Sequence, residues 1–203
     1  MALSIDLEAI YPCTMSLPHS FYERDTVAVA RDLLGCLLIH QEDAGTTAGR
    51  IVEVEAYLQN DPAAHSYRGM TERNRAMFGP PGHAYVYRIY GLHTCVNVVT
   101  GAEGTGEAVL IRALEPVAGI DLMQARRGRD DPISLANGPG KLTEALGITI
   151  DLDGTSLSDG PLRVHAAVGR REEIVQTIRV GITKAADLPL RFYLKGNPYI
   201  SRR

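Results

Sequence analysis

The run GRIVEVEAYL, residues 49–58, reads as a strand in which Val52, Val54, Ala56 and Leu58 share one face while Ile51, Glu53, Glu55 and Tyr57 share the other. Two carboxylates and a tyrosine therefore project from one side of a sheet. An ionised carboxylate can take a proton from a bound water, and its charge can also stabilise a cation-like transition state. Either glutamate could instead pair with a nearby arginine, a reading that suits Glu53 best. Downstream, Tyr57, Tyr67, Tyr85, Tyr87 and Tyr90 share a stretch with Arg68, Arg73, Arg75 and Arg88, against the single acid Glu72 between His65 and Thr100. Rings of this kind suit bases and arginines suit phosphates, although tyrosine is also a good strand residue and arginine solvates an outer face. The only lysines are Lys141, Lys184 and Lys195, none near the glutamate strand, so Schiff-base chemistry lacks its usual amine there. Lys141 follows Gly-Pro-Gly at a helix start, where backbone amides and the lysine charge suit a phosphate; the remainder of a nucleotide-binding P-loop is absent.

These residues need a scaffold, and 203 residues, 45% of them hydrophobic and 22% charged, suffice for one core. The formal net charge of −3 lacks the overall basic footprint of many nucleic-acid binders, so any basic face must be local. Cys13, Cys36 and Cys95 are odd in number and widely spaced, which predicts a reducing compartment, no disulfide framework and no metal site. No basic, apolar leader opens the chain and no stretch approaches about 18 apolar residues, so the protein is expected to be neither secreted nor membrane-spanning. Residues 1–20 read as a loosely ordered lead-in and 21–203 as one domain. Within it TVAVARDLLG predicts a helix ending at Gly35, and CLLIH and GRIVEVEAYL predict strands joined through EDAGTTAG. TERNRAMF predicts a short helix capped by Thr71, and HAYVYRIY turns at Gly91 into HTCVNVVT. AVLIRALEP predicts a buried strand with Arg112 at its middle, AGIDLMQARRG and GPGKLTEALG predict helices, and TIRVGIT with LRFYLKG predict closing strands. The expected architecture is a single α+β domain in which these strands make one antiparallel sheet.

The runs RIVEVEAYL, AAHSYRG, TERNRAMF, HAYVYRIYG, VLIRALEP and LRFYLKGNP, in this order from about Phe21 to Ser201, resemble the alkyladenine (3-methyladenine) DNA glycosylases. The resemblance implies a single α+β domain with a curved antiparallel sheet flanked by helices, and excision of alkylated or deaminated purines from duplex DNA. The sparse lysines add the expectation of hydrolysis by water, leaving an abasic site without strand cleavage. Position by position it implies Glu55 as general base, with Arg112 and the Val180 carbonyl beside the attacking water. It makes Tyr57, His65 and Tyr87 the walls of the base pocket, Asn97 the residue facing the purine N2 edge and Leu110 part of the lining. Tyr90, beside Gly91 at a hairpin tip, resembles the side chain that fills the gap left by the flipped nucleotide. Arg68, Arg73, Arg75 and Lys141 are the candidates for the DNA backbone. No metal, cofactor, membrane or obligate protein partner is implied, and the location would be cytoplasmic and nucleoid-associated in a bacterium or nuclear in a eukaryote. A non-catalytic nucleic-acid-binding module and a small-molecule nucleoside hydrolase are the competing readings.

Overall fold

The structure, a computed structural model, describes residues 15–89, 91, 93–166 and 172–202. Most of the expected lead-in, residues 1–14, lies outside the described residues. Ser16 already bridges His165, and the Leu17 N–H donates to the Val164 carbonyl at 3.0 Å. After α1 (His19–Tyr22), Asp25 caps α2 (Thr26–Leu33) by accepting from the Ala28 N–H at 2.8 Å, and Val29, Ala30 and Leu33 turn inward. Strands β1 (Leu37–Glu42) and β2 (Gly45–Tyr57) follow. The polar EDAGTTAG, expected as a connection, is strand for most of its length: Gln41 pairs with Thr46 and Glu42 with Gly45. Gly45 at φ +131° adopts backbone that side-chain-bearing residues rarely tolerate, which lets the turn shrink to Asp43–Ala44.

A 3-10 helix (Glu72–Phe78) carries TERNRAMF, tighter than the helix expected, and the Thr71 N–H is satisfied by Asn74 Oδ1 at 2.6 Å. Strands β3 (Ala84–Ile89), β4 (His93–Thr100) and β5 (Glu107–Ala118) precede three helices, α3 (Ile120–Arg127), α4 (Pro132–Leu135) and α5 (Pro139–Leu146). Gly128 and Gly147, both left-handed, end α3 and α5 where the sequence placed their stops. A second 3-10 turn (Ile150–Leu152) leads to β6 (Leu162–His165), β7 (Ile174–Thr177) and β8 (Arg191–Leu194). TIRVGIT does not form the strand expected. β7 ends at Thr177, and the polar backbone from Ile178 onward leaves the ladder to meet side chains of the site.

All strand pairs are antiparallel, in the order β3-β4-β5-β2-β1-β6, with β8 pairing both β2 and β7. β2 is the central beam. One edge of it pairs with β5, while the other pairs first with β1 and then, at Glu53–Glu55, with β8. Register shifts around Glu53 mark an irregularity that bends the strand and curls the sheet into a half-barrel. The same shift breaks strict alternation: Ile51, predicted on the glutamate face, packs in the main core beside Val52. That core lies between one face of the sheet and the helices, with Val52, Val54, Val96, Val98 and Ile111 against Val29, Leu33, Leu142 and Leu146. Burial of each such side chain contributes about 1.5–3 kcal/mol. Among the described residues no helix is long and apolar enough to cross a membrane, and no group of three or more His, Cys, Asp or Glu could hold a metal ion.

Candidate active site

Period-two alternation carries the site onto the face opposite the core. In register, Tyr85 lies across from Asn97, Tyr87 from Cys95, Asn97 from Leu110 and Leu110 from Glu55, a continuous row over β3, β4, β5 and β2. An open pocket of about 470 Å³ lies over this row, within the size range of small-molecule sites, roughly 300–1,000 Å³. Of the residues singled out from sequence, Tyr57, His65, Tyr87, Asn97, Leu110, Arg112 and Val180 line it. Tyr85, Cys95 and Pro139 line it too and were not assigned; position Tyr85, two before Tyr87 on a strand, was the signal for the first of them.

The rings form a graded wall. His65 packs edge-on to Tyr87 with centroids 4.5 Å apart, and Tyr87 lies 5.4 Å from Tyr85. His65 is exposed at the rim, and its Nδ1 shares a 2.8 Å hydrogen bond with the Tyr85 hydroxyl. Desolvation beside the tyrosines, and secondly the charge of Arg73, hold the His65 imidazole below its ordinary pKa. Tyr87 is pushed above the tyrosine range, chiefly by burial. Asn97 is almost fully buried and its Nδ2 donates to the Tyr85 carbonyl at 3.0 Å, which fixes the amide on the pocket floor.

Glu55 is entirely buried and lies just beneath the lining. Its Oε1 accepts from the Val180 N–H at 2.7 Å, and its Oε2 accepts from the Tyr57 hydroxyl at 3.0 Å. Arg112 Nη1 pairs with the same Oε2 at 3.2 Å and donates to the Val180 carbonyl at 3.4 Å. All three partners line the pocket, so the carboxylate is one side chain removed from it. A carboxylate offers about four acceptor sites; among the described residues Oε1 meets the Val180 N–H, and Oε2 meets the Tyr57 hydroxyl and Arg112. Burial alone would lower the Arg112 pKa, but the charges of Glu55 and Glu53 outweigh it and raise the pKa instead. Tyr57 is driven above the tyrosine range by burial first and by Glu55 second.

Behind the wall sits a pair that the sequence did not disclose. Arg179 and Asp61, both buried, form a two-pronged ion pair, and Arg179 also donates to the Ala56 carbonyl at 3.1 Å. The Arg179 guanidinium lies 4.7 Å from the centre of the Tyr57 ring. The loop that carries Val180 is thereby fastened to the strand that carries Glu55. Adjacency of Arg179 to Val180 was the one available hint.

The four backbone candidates differ. Arg68 and Arg73 are exposed, and Arg73 donates to the Arg88 carbonyl at 3.1 Å. Arg75 is also exposed but pairs with Glu72, so its charge is already partnered. Lys141 is exposed in the first turn of α5, its Nζ 2.8 Å from Asn137 Oδ1, two residues after the pocket-lining Pro139. Tyr90 lies outside the described residues.

Aromatic rings, a buried carboxylate and a guanidinium thus meet at one pocket on a curled antiparallel sheet. The chain belongs to the methylpurine-DNA glycosylase (MPG) family, whose sequence model matches residues 20–198. It is 77% identical over 193 residues to a protein of Methanoculleus marisnigri named "Putative 3-methyladenine DNA glycosylase", covering 93% of this chain and 100% of the relative. A Carboxydothermus hydrogenoformans protein of the same name is 53% identical over 192 residues, again 93% of this chain and 100% of the relative. One from Rhodopseudomonas palustris (strain HaA2) is 54% identical over 185 residues, 91% of this chain and 90% of the relative.

Proposed function

We propose that this chain is a monofunctional DNA glycosylase that flips alkylated or deaminated purines, 3-methyladenine and hypoxanthine among them, out of duplex DNA and hydrolyses their N-glycosidic bond with Glu55 as general base. The observation that carries the reading is the Glu55 carboxylate held by Val180, Tyr57 and Arg112, three residues that line the aromatic pocket.

The flipped purine stacks between Tyr57 and Tyr87, with His65 at its edge and Asn97 facing N2. Stacking contributes about 1–3 kcal/mol per base without demanding one hydrogen-bond pattern, which supports a broad lesion range. A water bound to Oε1 and the Val180 carbonyl attacks C1′. As the C1′–O bond forms, the glycosidic bond breaks, its electron pair leaves with the base, and Glu55 takes the water's proton. The carboxylate charge stabilises the oxocarbenium-like transition state. Tyr90 fills the vacated stack, and Arg68, Arg73 and Lys141 hold the phosphates, with Arg75 in a lesser part because Glu72 competes for it. Among the described residues no lysine lines the pocket, which favours water over an amine as nucleophile. Such a reaction belongs on the chromosome, in a bacterial nucleoid or a eukaryotic nucleus.

The test is release of free base from duplexes carrying hypoxanthine or 3-methyladenine, with abasic sites scored by alkali. Wild-type protein is expected to release base and to leave the strand intact until alkali is added, and Glu55→Gln is expected to be inactive while still binding the duplex. A fully active Glu55→Gln would refute the mechanism, and strand breaks without alkali would refute the water-only chemistry.

A further inference from the structure

Glu53 is as buried as Glu55 and faces no pocket space, yet it gathers more donors than any other side chain of the site. Its Oε1 accepts from Arg112 Nε at 3.1 Å, from Arg191 Nε at 2.7 Å and from the Ser201 hydroxyl at 2.8 Å, and its Oε2 accepts from the Ser201 backbone N–H at 2.5 Å. The same Ser201 oxygen accepts from Arg112 Nη2 at 3.4 Å, while Arg112 Nη1 reaches Glu55 at 3.2 Å. Each nitrogen of the guanidinium is thereby fixed: Nε by Glu53, Nη2 by Ser201 and Nη1 by Glu55 and Val180. Arg191 in turn donates to the Arg202 carbonyl, which ties residues 201 and 202 to β8.

A buried ion pair is weak evidence of stabilisation in itself. This one has a second consequence, because the arginine that Glu53 shares ends on the other carboxylate. Two negative charges, Glu53 and Glu55, balance two positive charges, Arg112 and Arg191. Among the described residues, groups facing this set include the neutral Tyr57 hydroxyl on β2, the Cys95 thiol on β4 and, behind the Tyr57 ring, Arg179, whose charge is met by Asp61.

We infer that Glu53 and Ser201 are positioning residues that hold the Arg112 guanidinium against Glu55, so that the segment around Ser201 completes the catalytic site. The inference rests on the reading of Glu55 as general base. Removing the Glu53 carboxylate releases Arg112 Nε and the Ser201 N–H, so that the guanidinium end at Glu55 is no longer held in place.

The experiment is single-turnover excision of hypoxanthine from a duplex, with duplex affinity and thermal unfolding measured in parallel. Glu53→Gln is expected to lower the maximal rate by about 10- to 100-fold, with duplex affinity unchanged. Ser201→Ala retains all four charges and serves if Glu53→Gln does not fold. It is expected to slow excision at unchanged affinity, and Ser201→Thr, which retains a hydroxyl, is expected to restore the rate. A folded Glu53→Gln with wild-type rate overturns the inference, as does a wild-type rate in Ser201→Ala. A joint fall of rate, affinity and melting temperature also overturns it, since that is an ordinary structural role. An active Glu55→Gln would instead overturn the reading of Glu55.

Discussion

The Tyr57 hydroxyl donates a 3.0 Å hydrogen bond to Glu55, two residues earlier on the same strand, so the ring that walls the pocket is tied to the carboxylate beneath it. Tyr57→Phe retains the wall and cuts the tie. A hydrogen bond to a charged group contributes about 1.5–3 kcal/mol, so excision is expected to slow by roughly 10- to 100-fold with duplex affinity held. Tyr57→Leu removes the wall as well and is expected to weaken lesion binding by a further 1–3 kcal/mol or so. Single-turnover rates and equilibrium titration of a lesion duplex separate the two effects. Equal losses of rate and affinity in Tyr57→Phe would contradict the assignment.

Tyr22, Tyr57, Tyr85 and Tyr87 all have pKa values raised above the tyrosine range, with burial the largest cause in each. Below about pH 10 these phenols are neutral in both folded and unfolded chains. Above it the unfolded chain sheds protons that the folded chain retains, so stability falls as pH rises. Alkaline titration is expected to show a phenolate step that coincides with loss of the folded circular-dichroism signal. Ionisation of these rings well before unfolding would show the wall to be open to water.

Arg179 and Asp61 make a buried pair, with side chains 0% and 2% exposed. Breaking such a pair from one side costs about 3–5 kcal/mol, which is the expectation for Arg179→Met and for Asp61→Leu in urea unfolding. The double variant is expected to lose less than the sum of the two, because no charge is then stranded. Strict additivity would mean that the two residues act independently.

For His65 the folded imidazole binds its proton less tightly than the unfolded one. The contribution to stability is therefore whole above the ordinary histidine range, near pH 6.5, and is lost as pH falls through that range. An NMR titration is expected to place the His65 midpoint below 6.5. Arg73→Ala, which removes the lesser of the two causes, is expected to move it part of the way back. A midpoint at or above 6.5 would show that neither desolvation beside the tyrosines nor the Arg73 charge acts on the ring.

The site was legible where chemistry follows strand period. Alternation in GRIVEVEAYL put Glu53, Glu55 and Tyr57 on one face, and the row Tyr87, Asn97, Leu110, Arg112 formed because neighbouring strands kept the same alternation. Helix stops were legible because Gly128 and Gly147 occupy left-handed backbone. Partners distant in sequence were not. Nothing local marks Asp61 as the mate of Arg179, 118 residues away, or Ser201 as a donor to Glu53. Ile51 was placed on the wrong face because a register shift leaves no mark in a hydropathy pattern. TIRVGIT reads as a strand for the same reason: its apolar alternation says nothing of the carboxylate that captures the Val180 N–H.

The central strand is made early, but its two acids are met late. Apart from Tyr57, donors to them stand 59, 125, 138 and 148 residues further along the chain. Contacts of such long range assemble slowly, and a polypeptide still emerging from the ribosome carries both glutamates before most of the groups that hold them. An incomplete copy of this chain therefore has the acids without their finished cage.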